Sequence, residues 1–121
     1  MIHQFYQLYC PKFDKSVKHT TMFFGERIKQ LREEKGLLQR HVAASLDMDT
    51  PMFSKIERGE RKAKREQVLG LAKLLMVPSE ELLALWLAGK VYDMVKNEEV
   101  ALIALSVTKD EIKKIAKKSK Q

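Results

Sequence analysis

From Phe24 onward, apolar residues recur at the 3.6-residue spacing of a helix, in short runs each closed by glycine, aspartate or proline. That punctuation constrains the chain most. Phe24, Ile28 and Leu31 fall at i, i+4 and i+7, and Gly36 follows as a C-cap residue would. Val42, Ala43 and Leu46 predict a second helix over residues 39–46, ended by Asp47-Met48-Asp49. A third fits Thr50 to Glu57, with Asp49 as N-cap, Pro51 in the first turn, Phe53 and Ile56 facing inward, and Arg58-Gly59 as the stop. Residues 60–65 read as a charged loop. Val68, Leu71, Ala72 and Leu75 predict a fourth helix over 66–75.

Pro78 and the acidic Glu80 and Glu81 mark the start of a fifth helix, which carries Leu82, Leu83, Leu85, Trp86 and Leu87 and continues through Val91 to about Lys96. Val100, Ile103, Ala104 and Val107 predict a sixth segment. Thr108 and Glu111 then form a capping-box pattern ahead of a short, lysine-rich last helix. The class implied is all-α: a five-helix domain over residues 22–88 and a C-terminal helical extension over 89–121.

Residues 1–21 hold Phe5, Tyr6, Tyr9 and Phe13 without a sustained helical period, and Pro11 interrupts any helix there. They form either an arm that docks on the domain or reaches toward a ligand, or a leader ahead of a start at Met22. The second reading is preferred, and the segment is expected to be poorly ordered.

Composition narrows the partners. With 121 residues, 45% of them hydrophobic and 32% charged, the chain can bury a core. Its net charge of +7 and pI near 9.5 favour polyanions, because lysine and arginine release counterions condensed on phosphates. The single cysteine, Cys10, cannot form an intrachain disulfide, which suits a reducing cytoplasm. No run approaches a membrane span, and the basic-then-apolar pattern of a secretory signal is missing.

No HExxH, GxSxG, P-loop or paired-cysteine motif occurs, so catalysis is not expected. His41 has no metal-ligand spacing with His3 or His19, and the six methionines read as core fillers. Neither cofactor, metal nor small-molecule ligand is implied.

The specific pattern lies in the second and third helices. A helix-turn-helix needs a small residue where the helices cross, a turn residue that tolerates left-handed backbone, and apolar anchors inside the second helix. Ala43, Asp47, and Phe53 with Ile56 supply these. Short polar and basic residues remain on the outer face: Thr50, Pro51, Ser54, Lys55 and Arg58.

At this point the stretch from Phe24 to Leu87 resembles the phage-repressor/Cro, or XRE-type, helix-turn-helix regulators. The most specific piece is SKIERGER, Ser54 to Arg61, with Gln39 and Ala43 at the expected distance before it. The resemblance implies double-stranded DNA as partner. Gln39 would bond a phosphate and brace the reading helix, with Arg40 beside it. Thr50, Pro51, Ser54 and Lys55 would face the major groove. Arg58, Lys62, Lys64 and Arg65 would follow the phosphate backbone, and Glu57 would tie down the loop through a local ion pair. Asp47 replaces the usual turn glycine, Leu38 stands where a Ser or Thr cap is common, and Pro51 offers no polar group.

The fifth helix is apolar nearly all round, so it must be buried on more than one face. A homodimer through Leu83, Trp86, Leu87 and Val91 is expected, as a two-fold operator requires. Compact size and the helical extension look most similar to restriction–modification controllers. The expected function is a sequence-specific, homodimeric transcription regulator. The alternative is an antitoxin-like protein whose segment from Val91 to Gln121 binds a partner protein, and a third reading is a fold that binds any duplex alike.

Overall fold

The structure is a computed structural model that describes residues 23–119. Expectations for residues 1–21, including Cys10, His3 and His19, lie outside the described residues. Among the described residues there are six helices and no strand: α1 Phe24–Glu34, α2 Gln39–Ser45, α3 Thr50–Glu57, α4 Arg65–Leu75, α5 Ser79–Val95 and α6 Ala101–Ser119. None is long and apolar enough to cross a membrane.

Two compact units divide after Gly89. In the first, the periodic residues read from the sequence form one core. Ile28, Val42, Phe53, Val68, Leu71, Leu75 and Leu82 are almost wholly buried, and Ala43 and Ile56 lie among them. Turn chemistry follows the expected rules. Gly36 and Gly59 adopt positive φ where α1 and α3 end. At the end of α4 Met76 does so without being glycine, with φ of 57°, and its own side chain stays in solvent.

Gly25 has a role that periodicity does not reveal. A Cβ there would stand 2.5 Å from the Glu57 carbonyl oxygen and 2.7 Å from that of Ile56. The first turn of α1 therefore rests on the backbone at the end of α3, and a fixed carbonyl cannot swing away as a side chain can. Gly25→Ala is expected to cost about 1–3 kcal/mol by overpacking. Urea unfolding measures it, and an unchanged midpoint would contradict the close crossing.

The second unit, residues 90–121, carries the end of α5 and all of α6. Two segments were expected in α6, with a new start at Thr108. The structure has one continuous helix, and Thr108 Oγ1 donates to the Ala104 carbonyl at 2.8 Å inside it. The apolar phase of Leu105 continues through Ile112 and Ile115 without a break, so the hydroxyl bonds back along the helix instead of capping a new one.

Candidate nucleic-acid interface

The turn between α2 and α3 decides how the second helix is presented. Asp47 takes the left-handed conformation, with φ of 54°, as its short polar side chain permits. Met48 N–H then returns to the Ala43 carbonyl at 3.0 Å. Asp49 caps α3 by accepting from Met52 N–H at 2.8 Å. Pro51 sits in the first turn, where its missing N–H leaves no intrahelical bond unmade.

Leu38 cannot cap α2 with its side chain. His41 supplies the other half of the arrangement, its Nδ1 accepting from Leu38 N–H at 3.4 Å. Ala43, 1% exposed, is the small residue that the close crossing requires. Phe53 and Ile56 turn into the core. Their burial orients α3 so that Thr50, Pro51, Ser54, Lys55 and Arg58 share the remaining arc. Pro51, Lys55 and Arg58 are exposed, and Thr50 and Ser54 half-buried.

A buried polar network sets the tilt of this pair. The Glu57 carboxylate, its side chain only 1% exposed, accepts from Arg32 Nε at 2.6 Å and Nη2 at 3.2 Å. It also accepts from Gln39 Nε2 at 2.8 Å. Arg32 Nη1 donates to the Leu37 carbonyl at 2.9 Å. The Glu57 carboxylate thus ties α1 and the start of α2 to the end of α3, and Arg32 holds the loop between α1 and α2. Its hydrogen bonds to the Glu57 carboxylate raise the Arg32 guanidinium above its ordinary range, against the opposing effect of burial. That contribution is fully present at lower pH and fades only as strongly alkaline pH carries Arg32 through its raised pKa.

These contacts correct one expectation. Glu57 does not tie down the following loop through a local ion pair; its ion-pair partner is Arg32, on α1. Gln39 reaches the end of α3 through the same carboxylate. The role of Arg32 was missed. Its signal was phase: Arg32 lies four residues after Ile28 and Glu57 four after Phe53, both on core-facing rows.

Arg58 is the loop's own clasp. Its Nε donates to Glu60 Oε2 at 2.6 Å and its Nη1 to Ser54 Oγ at 2.6 Å. The pairing raises Arg58 and lowers Glu60 from their ordinary values, chiefly through that hydrogen bond. Both side chains are more than half exposed, so the clasp contributes little to stability and yields easily to a competing anion.

Farther along, Lys62, Lys64 and Arg65 are exposed around the buried Ala63. The Ala63 carbonyl accepts from Trp86 Nε1 at 2.8 Å, and the Arg65 guanidinium lies 5.2 Å over the Trp86 ring. Trp86 therefore supports the basic loop from inside. Trp86 itself is 8% exposed and packs in its own core. Leu83 is half-buried, while Leu87 and Val91 are exposed.

The site so assembled is an outward helix face with a cationic strip beside it. It holds no nucleophile–base pair, and no cluster of metal-ligating side chains occurs among the described residues.

Residues 24–86 match a family model described as a helix-turn-helix domain. Among solved structures, the chain is similar to the DNA-binding domain of the P22 c2 repressor, with 28% identity and a TM-score of 0.50, over 54% of this chain and 86% of that one. It is also similar to the restriction–modification controller C.AhdI from Aeromonas hydrophila, with 36% identity and a TM-score of 0.46, over 49% of this chain and 89% of that one. The clp gene regulator ClgR from Corynebacterium glutamicum shares 19% identity with a TM-score of 0.48, over 79% of this chain and 88% of that one. A search of curated proteins found no match.

Proposed function

The chain belongs to the helix-turn-helix domain family, and from that premise we propose that it is a transcription regulator that reads a two-fold DNA operator as a homodimer. The phage-repressor resemblance seen in the sequence is borne out. The observation that carries the finer reading is the division of α3: Phe53 and Ile56 lock it into the core while Ser54, Lys55 and Arg58 stay on its outer arc.

In this mechanism α3 enters the major groove. Lys55 and Ser54 reach base edges, Thr50 and Pro51 make the close approach near the helix start, and Arg58 exchanges Glu60 for a phosphate. Gln39, held by Glu57, and Arg40 meet the backbone on one side. Lys62, Lys64 and Arg65 follow it on the other. Bound at a promoter, such a dimer blocks or recruits polymerase by position alone.

Random-site selection tests this reading. The expected product is an inverted repeat with half-sites about 10 base pairs apart, centre to centre. An enriched site without symmetry would contradict the dimer, and no enrichment would contradict sequence reading.

For the dimer, the exposed Leu87 with the half-buried Leu83 is the α5 surface that supports pairing. Leu87→Glu is expected to weaken self-association at least tenfold by light scattering, since it sets a charge into an apolar contact. An unchanged dimer would remove Leu87 from the interface.

A further inference from the structure

One acid stands inside the basic strip. Arg58, Arg61, Lys62, Lys64 and Arg65 surround Glu60, which is exposed like them. A carboxylate there works against binding a polyanion, so its position needs an account.

The way α3 ends fixes that position. Gly59 turns the chain back with φ of 78°, and Glu60 N–H donates to the Lys55 carbonyl at 2.9 Å. The Glu60 side chain is thereby returned to the end of α3. Arg58 Nε donates to its Oε2 at 2.6 Å and Arg58 Nη2 to its Oε1 at 3.4 Å. The Lys55 ammonium attracts the same carboxylate from the preceding turn. The third nitrogen of Arg58, Nη1, donates to Ser54 Oγ at 2.6 Å. Each guanidinium nitrogen thus has an acceptor, and the Arg58 side chain is drawn back over Ser54.

A carboxylate and a phosphate offer paired oxygens to the same edge of a guanidinium. The Glu60 carboxylate therefore fills the edge by which Arg58 would hold a DNA backbone. We propose that Glu60 is a built-in competitor for phosphate, which keeps Arg58 folded over Ser54 until a duplex displaces it and so sets the affinity of α3 for DNA. This rests on the reading of α3 as the helix that faces DNA. Two contacts open in one step: Arg58 leaves Glu60 for a phosphate, and the Ser54 hydroxyl is uncovered. The side chains of Arg58 and Glu60 are 55% and 54% exposed, so the exchange requires no unfolding.

Titration of the full chain with its selected duplex, at one salt concentration, tests the exchange. Glu60→Gln and Glu60→Ala are each expected to tighten binding by about threefold to tenfold, since they remove an exposed ion pair and a negative charge beside the backbone. The thermal midpoint should stay in place. In an Arg58→Ala background the same changes should gain less than about twofold, because the group they release is gone. In the free protein the Arg58 Nε–H resonance should shift in Glu60→Gln, and in the wild type it should shift on adding duplex.

Unchanged or weaker binding by both Glu60 variants would overturn the proposal, and would make Glu60 a support for Arg58 instead of its competitor. An undiminished gain in the Arg58→Ala background would also overturn it, leaving repulsion of the backbone at large. Those failures stand apart from failure of the α3 reading. That reading fails at Arg58 if Arg58→Ala alone leaves affinity unchanged, and the proposal falls with it.

Discussion

Glu57→Ala is expected to remove about 3–5 kcal/mol from the unfolding free energy, the size typical of leaving one member of a buried ion pair without its partner. The Arg32 side chain is 10% exposed, so its charge would stay inside the fold with its hydrogen bond to the Leu37 carbonyl in place of a carboxylate partner. Gln39 would lose its acceptor in the same step. A small domain commonly has about 5–15 kcal/mol in total, so this variant approaches the edge of folding. Urea denaturation measures it. Replacing both partners, Arg32→Met with Glu57→Leu, should recover most of the loss, because the cost lies in an uncompensated charge. A loss below about 1 kcal/mol in Glu57→Ala would show that the pair does not hold α1 and α3 together.

The second large effect concerns binding. Lys55→Ala combined with Arg58→Ala is expected to weaken affinity for a selected operator about a hundredfold or more at fixed salt. Each such side chain, bonded to a base edge or a phosphate, adds a charge-assisted contact. Both lie outside the core, so the thermal midpoint should barely move. The two sites should differ in kind. Losing a phosphate contact lowers the salt slope by about one and weakens all sequences alike, as expected for Arg58. Losing a base contact relaxes specificity at one position, as expected for Lys55. Unchanged affinity in a gel-shift titration would contradict the assignment of α3.

Much of this fold is legible in the sequence because its signals are local. The seam of Phe24, Ile28 and Leu31 shows as periodicity, and Asp47 and Asp49 act within their own turns. The resemblance to phage repressors rested on the same short-range pattern. What escaped was long-range. Arg32 and Glu57 are 25 residues apart, and nothing local says that a charged residue in an apolar phase will meet its opposite there.

Trp86 has the same explanation. Its place on an apolar arc fits either a partner or the core. The Ala63 carbonyl and the Arg65 guanidinium, both supplied by another part of the chain, settle it inward. Gly25 was silent because a missing side chain carries no phase; only the carbonyls of Ile56 and Glu57 reveal why it is needed. At Thr108 a local rule misled. Threonine followed three residues later by glutamate reads as a helix start, yet the apolar row on either side keeps the helix whole.

The central claim is that the outer face of α3 reads base sequence. The most direct measurement titrates the protein with its selected duplex and with a scrambled duplex of equal length and composition, at one salt concentration. The account predicts a preference of about a thousandfold or more, with Lys55→Ala reducing that ratio. Equal affinity for the two duplexes would contradict it, and would leave a basic surface that holds any phosphate backbone.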